Sequence, residues 1–148
     1  MSADDAALGH HPAPHRGRAG AMEMTFGLLG GPAAWFAQLC AGFALSSWPC
    51  FPGDQHMLSP TAGFAWTGAA VGFVSLTAFA VAVAAMFVSR GLLRRTRDEY
   101  PGDPAHLLEA GTGRTRFLAL WGTIAGGGFA VATAFTAIAF FILPRCAG

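Results

Sequence analysis

The sequence predicts an all-α integral membrane protein: a bundle of three transmembrane helices, with the N-terminus in the cytoplasm and the C-terminus in the periplasm. Three long apolar stretches support this prediction, at about residues 26–48, 63–89 and 116–143. Each is longer than the ~20 helical residues that cross a hydrocarbon core of ~30 Å, and apart from flanking arginines none contains a charged residue. Hydrophobic residues make up 53% of the chain and charged residues 11%, which is too little charge for an ordinary soluble surface.

The positive charges predict the orientation. Two arginines precede the first stretch, six lie in or beside the loop at residues 90–115, and one follows the third stretch. The positive-inside rule therefore places the N-terminus and this loop in the cytoplasm. The basic residues are all arginine, and alanine and glycine are abundant, so we expect a GC-rich bacterium and a multi-pass protein of its inner membrane. The loop arginines, which should fix topology and meet lipid headgroups, are Arg90, Arg94, Arg95, Arg97, Arg114 and Arg116.

The remaining organisation follows from local composition. Residues 1–23 are polar and rich in Ala, Gly, His and Pro, which predicts a disordered tail before a membrane domain at residues 24–148. The three histidines of this tail are more typical of a solvated segment than of a metal site. Pro32 predicts a restart or kink in the first span. Cleavage after Ser46 as a signal peptide is disfavoured, because the preceding polar and apolar regions are both too long.

Small residues recur at a spacing of four in all three spans. This spacing lets two helix backbones approach closely within a membrane. It predicts helix-packing roles for Gly27, Gly31, Gly68, Gly72, Gly122 and Gly126.

The spans contain no ionisable residue that would indicate transport, proton relay or intramembrane catalysis. They also lack the histidines of a bis-His haem site. We therefore expect no catalytic residue, no cofactor and no enzymatic activity. Gln38 has two interpretations, a polar link between helices or a donor near a bound quinone or haem, and the first is favoured. His56, with Asp54 and Cys50, matches no strong motif for copper or zinc.

The cysteines leave several alternatives open. Cys50 and Cys146 should both lie at the outer ends of their spans, in an oxidising compartment. They could form a disulfide, remain free thiols or carry copper, and the sequence does not supply the Cα separation that would decide. Cys40 is predicted to be a buried packing residue in the middle of the first span.

Three strings of the sequence are Gly30-Gly31-Pro32-Ala33-Ala34-Trp35-Phe36-Ala37-Gln38-Leu39, Trp48-Pro49-Cys50 and Gly113-Arg114-Thr115-Arg116-Phe117-Leu118-Ala119. They resemble strings of small, uncharacterised three-span proteins encoded near haem–copper cytochrome c oxidase genes in proteobacteria. Relatives often have a histidine at the position of Gln38, and this departure weakens any haem- or metal-linked role carried over to the first span. The resemblance implies an accessory or assembly role around a respiratory oxidase and no catalytic residue.

The expected function is therefore a non-catalytic accessory subunit or assembly factor of a larger membrane respiratory complex. Its expected partners are membrane lipid and that complex, without nucleic acid, and the glycine faces of the first and third spans are expected to contact the complex. One alternative is a periplasm-facing metal or thiol-redox carrier that uses Cys50, Cys146 and His56. A small homo-oligomeric transporter is the least favoured, because the spans offer few polar groups for a pore.

Overall fold

The computed structural model describes residues 20–51, 53, 55–59, 62–95, 114–143 and 146, and this part of the chain is helical with no β-strand. The long helices are α1 (Ala21–Ser47), α2 (Thr67–Arg95) and α3 (Arg114–Ile142). Each is long and apolar enough to cross a membrane, which confirms the all-α, multi-pass class. Short 3-10 turns at Trp48–Cys50 and Ala62–Phe64 follow α1 and precede α2.

α1 begins at Ala21, so the last three residues of the predicted polar tail are helical. The N–H of Met24 donates to the carbonyl of Gly20 at 3.1 Å, which forms the first turn. Glu23 lies in this turn, where the positive end of the helix dipole favours a carboxylate. The predicted tail histidines, His10, His11 and His15, lie outside the described residues.

α1 also continues through Pro32 without a break, so the restart predicted there is wrong. A proline within a membrane helix removes one backbone hydrogen bond, and packing against neighbouring helices can compensate for that loss.

α2 is displaced along the sequence from its predicted span. It begins at Thr67, whose hydroxyl donates to the carbonyl of Phe64 at 2.9 Å, and it ends at Arg95, six residues inside the predicted loop. Residues 96–113, with Arg97, lie outside the described part of the chain. α3 begins at Arg114, two residues before its predicted start.

All three helices contact one another, and their contact surface consists mainly of small side chains. Large apolar residues such as Phe36, Phe73 and Phe135 point outward instead. This distribution is typical of a membrane bundle, in which backbone proximity replaces the hydrophobic effect as the source of helix association. The buried positions include Gly27, Gly31 and Gly42 on α1, Ser75, Ala78, Ala82, Ala85 and Ser89 on α2, and Ala119, Gly122, Gly126, Ala130 and Thr133 on α3.

Candidate functional site

Near the end of the bundle that carries the arginines, Ser89 of α2 lies between two glycines. A methyl group added at Gly27 of α1 or at Gly122 of α3 would collide with the Ser89 hydroxyl. Each glycine therefore makes room for the same side chain, and the three helices meet at this level. The sequence indicated the two glycines but not their common neighbour on α2.

The next close approach joins α3 to both other helices. A methyl group at Gly126 would lie 2.7 Å from the backbone nitrogen of Met86, and one at Gly31 would lie 3.3 Å from the Cα atom of Gly126. These glycines pack inside the bundle, so the expectation that the glycine faces of α1 and α3 contact a partner is wrong. The second-span pair is less crowded: Gly68 is half-buried, and a methyl group at Gly72 would make ordinary contact with Phe141 at 3.5 Å.

The middle of the bundle contains a polar layer centred on Gln38, which is 0% exposed. Its Nε2 atom donates to Ser75 Oγ on α2 at 3.1 Å and to the Thr133 carbonyl on α3 at 3.2 Å. The amide thereby links all three helices, as the favoured interpretation of Gln38 expected. Gln38 Oε1 is buried and has no hydrogen-bond partner among the described residues. Such an unpaired acceptor lowers the net stabilisation that the amide provides.

A second polar contact joins α1 to α3. The indole Nε1–H of Trp35 donates to Thr136 Oγ1 at 3.1 Å, while the Thr136 hydroxyl donates to the Ala132 carbonyl at 2.8 Å. The Trp35 ring also packs against Phe129, with centroids 5.5 Å apart. The sequence analysis did not single out this contact, because tryptophan in a membrane span gives no signal of its partner.

At the opposite end of the bundle from the arginines, Cys50 and Cys146 form a disulfide. Their Cα atoms lie 5.2 Å apart across a sequence separation of 96 residues, so the bond ties the end of α1 to the segment after α3. Cys50 is 3% exposed. Because each sulfur is bonded to the other, neither is a thiolate available to a metal in this oxidised state.

His56 does not take part in a metal site among the described residues. His56 is exposed, and its ring contacts that of Phe51 with centroids 5.1 Å apart. Asp54, the carboxylate predicted beside it, lies outside the described residues. Within the described ranges, no group of three His, Cys, Asp or Glu side chains could hold a metal ion.

Cys40 is exposed on the outside of α1, so its predicted burial is wrong. It lies two residues after Gln38, and two residues turn a helix by about 200°, which places the thiol on the side opposite the buried amide. An outward thiol in a membrane span meets lipid or another protein.

The arginines among the described residues lie at the end formed by the start of α1, the end of α2 and the start of α3. Arg95 contacts Glu23 of α1 at 3.3 Å, with the Arg95 side chain 61% exposed and the Glu23 side chain 45% exposed. Arg90 and Arg94 are exposed, whereas Arg116 is half-buried. The side chain of Arg114 lies outside the described residues. This end therefore combines one interhelical ion pair with two exposed arginines on α2.

The comparisons with known proteins do not add a relative. No model of a protein family, no curated protein and no solved structure matches this chain.

Proposed function

We propose that this protein is a non-catalytic accessory subunit or assembly factor of a larger membrane respiratory complex, and that this complex is a haem–copper oxidase. The non-catalytic part rests on one feature of the described residues: the buried amide and the cysteine pair hold the bundle together. Gln38 links the three helices, and Cys50 is bonded to Cys146. The choice of complex rests on the resemblance of three sequence strings.

We further propose a bacterial inner membrane location with the N-terminus and residues 96–113 in the cytoplasm. The distribution of the arginines supports this orientation. Reporter fusions after Arg97 and after Gly148 provide the test: green fluorescent protein should fluoresce at the first site, and alkaline phosphatase should be active at the second. The reverse pattern would contradict the proposed orientation.

The surface that meets the partner must differ from the glycine faces, because those are buried within the bundle. The outward-facing side chains of each helix remain, and an accessory subunit would place one helix against the complex and leave the others against lipid. One exposed position on each helix can be used: Ala37 on α1, Ala80 on α2 and Val131 on α3. A photocrosslinking amino acid at each of them would report which helix faces the partner.

The experiment that tests the role is affinity purification in mild detergent, analysed by mass spectrometry and by visible absorption. We expect oxidase subunits to co-elute with a haem spectrum, and one crosslinking position to capture them in preference to the other two. A colourless protein that elutes alone, with equal and weak crosslinking at all three positions, would contradict the proposal. Unirradiated samples of each variant are the matched control.

A disulfide can also be reduced and formed again, so the Cys50–Cys146 pair is the observation behind a second candidate, a thiol-redox carrier. In that case Cys146→Ser should abolish function in the cell, whereas an accessory subunit needs the bond only for stability. Two quantities are measured in cells that carry Cys146→Ser: the level of assembled oxidase and the amount of this protein in the membrane. Their comparison distinguishes the accessory role from the redox role. Loss of oxidase in proportion to loss of the protein supports the accessory role, and loss at unchanged protein level supports the redox role.

A further inference from the structure

The last turns of α2 present an apolar residue, two arginines and a half-buried glycine on one side of the helix. Phe87 is 60% exposed, and Arg90 and Arg94 are exposed beyond it. Residues three, four and seven positions apart lie on one side of a helix, so these side chains and Gly91 are neighbours. We refer to these four residues as the Arg90/Arg94 face.

The two arginines of this face have no counter-ion in the described part of the chain. Glu23 is the only acidic residue there, and it contacts Arg95. Like charges four residues apart on a helix repel each other. Although the negative end of the helix dipole offsets part of this repulsion, an external anion between Arg90 and Arg94 would be favourable.

Gly91 leaves space for such an anion next to the helix backbone. A methyl group added at Gly91 would have no atom within 4 Å, whereas at Gly126 in the core it would meet the α2 backbone. The missing side chain at Gly91 therefore leaves an opening between Phe87 and Arg94, which we call the notch. Phe87 is its apolar side, and the two arginines supply positive charge toward the end of α2.

We propose that the Arg90/Arg94 face binds one anionic phospholipid. Its phosphodiester lies over Gly91 between the two guanidinium groups, and an acyl chain lies along Phe87. The axial offset supports a lipid rather than free phosphate, since seven residues rise ~10 Å from Phe87 to Arg94, from the apolar span to its charged end. Arginine pairs with phosphate oxygens through two parallel N–H···O bonds, which suits this headgroup. The inference depends on membrane insertion and not on the accessory role.

The test is native mass spectrometry of the full chain, delipidated in a neutral detergent and titrated with dioleoyl phosphatidylglycerol, dioleoyl phosphatidylcholine or glycerol phosphate. We expect one preferred phosphatidylglycerol. Arg90→Gln and Arg94→Gln should each weaken its binding about fivefold, which corresponds to ~1 kcal/mol per arginine. Gly91→Leu should also weaken binding, because it fills the notch without changing charge. Arg95→Gln and Gly128→Leu are the matched controls and should leave the affinity unchanged.

Several results would overturn the proposal. Equal affinity for phosphatidylglycerol and phosphatidylcholine would contradict a role of the lipid charge. Equal losses of affinity in Arg95→Gln and Arg90→Gln would contradict a specific site. Unchanged binding by Gly91→Leu would exclude the notch. Glycerol phosphate that binds as tightly as the lipid would exclude the acyl contact at Phe87. Arg90, Arg94, Arg95 and Gly128 are exposed and Gly91 is half-buried. A thermal melt of each variant verifies that the bundle is folded.

Discussion

Replacing Gly126 with alanine is expected to destabilise the bundle, because the added methyl group would lie 2.7 Å from the backbone nitrogen of Met86 and 2.8 Å from its Cα atom. Neither atom belongs to a flexible side chain, so α2 and α3 must move apart to make room. That movement also disturbs the contact between Gly126 and Gly31 of α1. The cost of overpacking a well-packed interior is typically ~1–3 kcal/mol.

A second glycine on the same helix isolates this cost. Glycine-to-alanine substitution gains about 1 kcal/mol of helix propensity wherever it occurs in a helix interior, so the net effect at Gly126 is smaller than the overpacking term. Gly128 is two residues away and exposed, and a methyl group there would have no atom within 4 Å. The propensity gain is common to both variants and cancels in the comparison. We therefore expect Gly126→Ala to be ~1–3 kcal/mol less stable than Gly128→Ala.

The assay is unfolding by sodium dodecyl sulfate in mixed micelles, followed by tryptophan fluorescence, with the disulfide intact in all samples. Wild type, Gly126→Ala and Gly128→Ala are measured in the same detergent. Equal stabilities for the two variants would refute the close approach of α2 and α3 at this level. A more stable Gly126→Ala would have the same meaning, since only an open position can retain the full propensity gain.

The remaining predictions concern the polar and covalent links. Gln38→Met should lower the free energy of unfolding by about 1 kcal/mol in the same assay. The substitution removes two interhelical hydrogen bonds of ~0.6 kcal/mol each, but it also removes the unpaired Oε1 atom. A loss above ~3 kcal/mol would contradict this estimate of the contribution of the amide. Cys146→Ser should lower stability by up to ~4–5 kcal/mol and remove the mobility difference between reducing and non-reducing gels, whereas Cys40→Ser should change neither. Glu23→Gln should cost less than ~1 kcal/mol, since its partner is exposed, and a larger loss would show that the ion pair is stronger than surface pairs usually are.

Parts of the candidate site could be predicted from the sequence. Gln38 is an amide in an otherwise apolar span, and such a group needs a partner on another helix, so its role as a link was accessible before its partners were known. The sequence did not predict its actual partners, Ser75 and the Thr133 carbonyl. Serine and threonine in membrane helices usually donate a hydrogen bond to a carbonyl of their own helix. The sequence does not show which of these residues accepts a hydrogen bond from another helix.

The glycine spacing likewise predicted one property of the bundle and left another open. Their spacing predicted close helix packing, and Gly27, Gly31, Gly122 and Gly126 are packed closely. The pattern did not tell whether the other backbone belongs to this chain or to a partner. Spacing along one helix is a local property, whereas the identity of its neighbour depends on how three helices are arranged in space.

The sequence by itself determined the three membrane helices, because crossing a bilayer depends on the length and apolarity of each segment alone. Only the tertiary structure decided which side of each helix faces inward, as the buried Gln38 and the outward Cys40 demonstrate. It also decided that Cys50 and Cys146 come within bonding distance. In a soluble protein the polar face of a helix marks its outside, but a membrane bundle and the surrounding lipid are equally apolar, so hydrophobicity does not distinguish the two sides. Packing between backbones makes that choice, and packing exists only in the folded bundle.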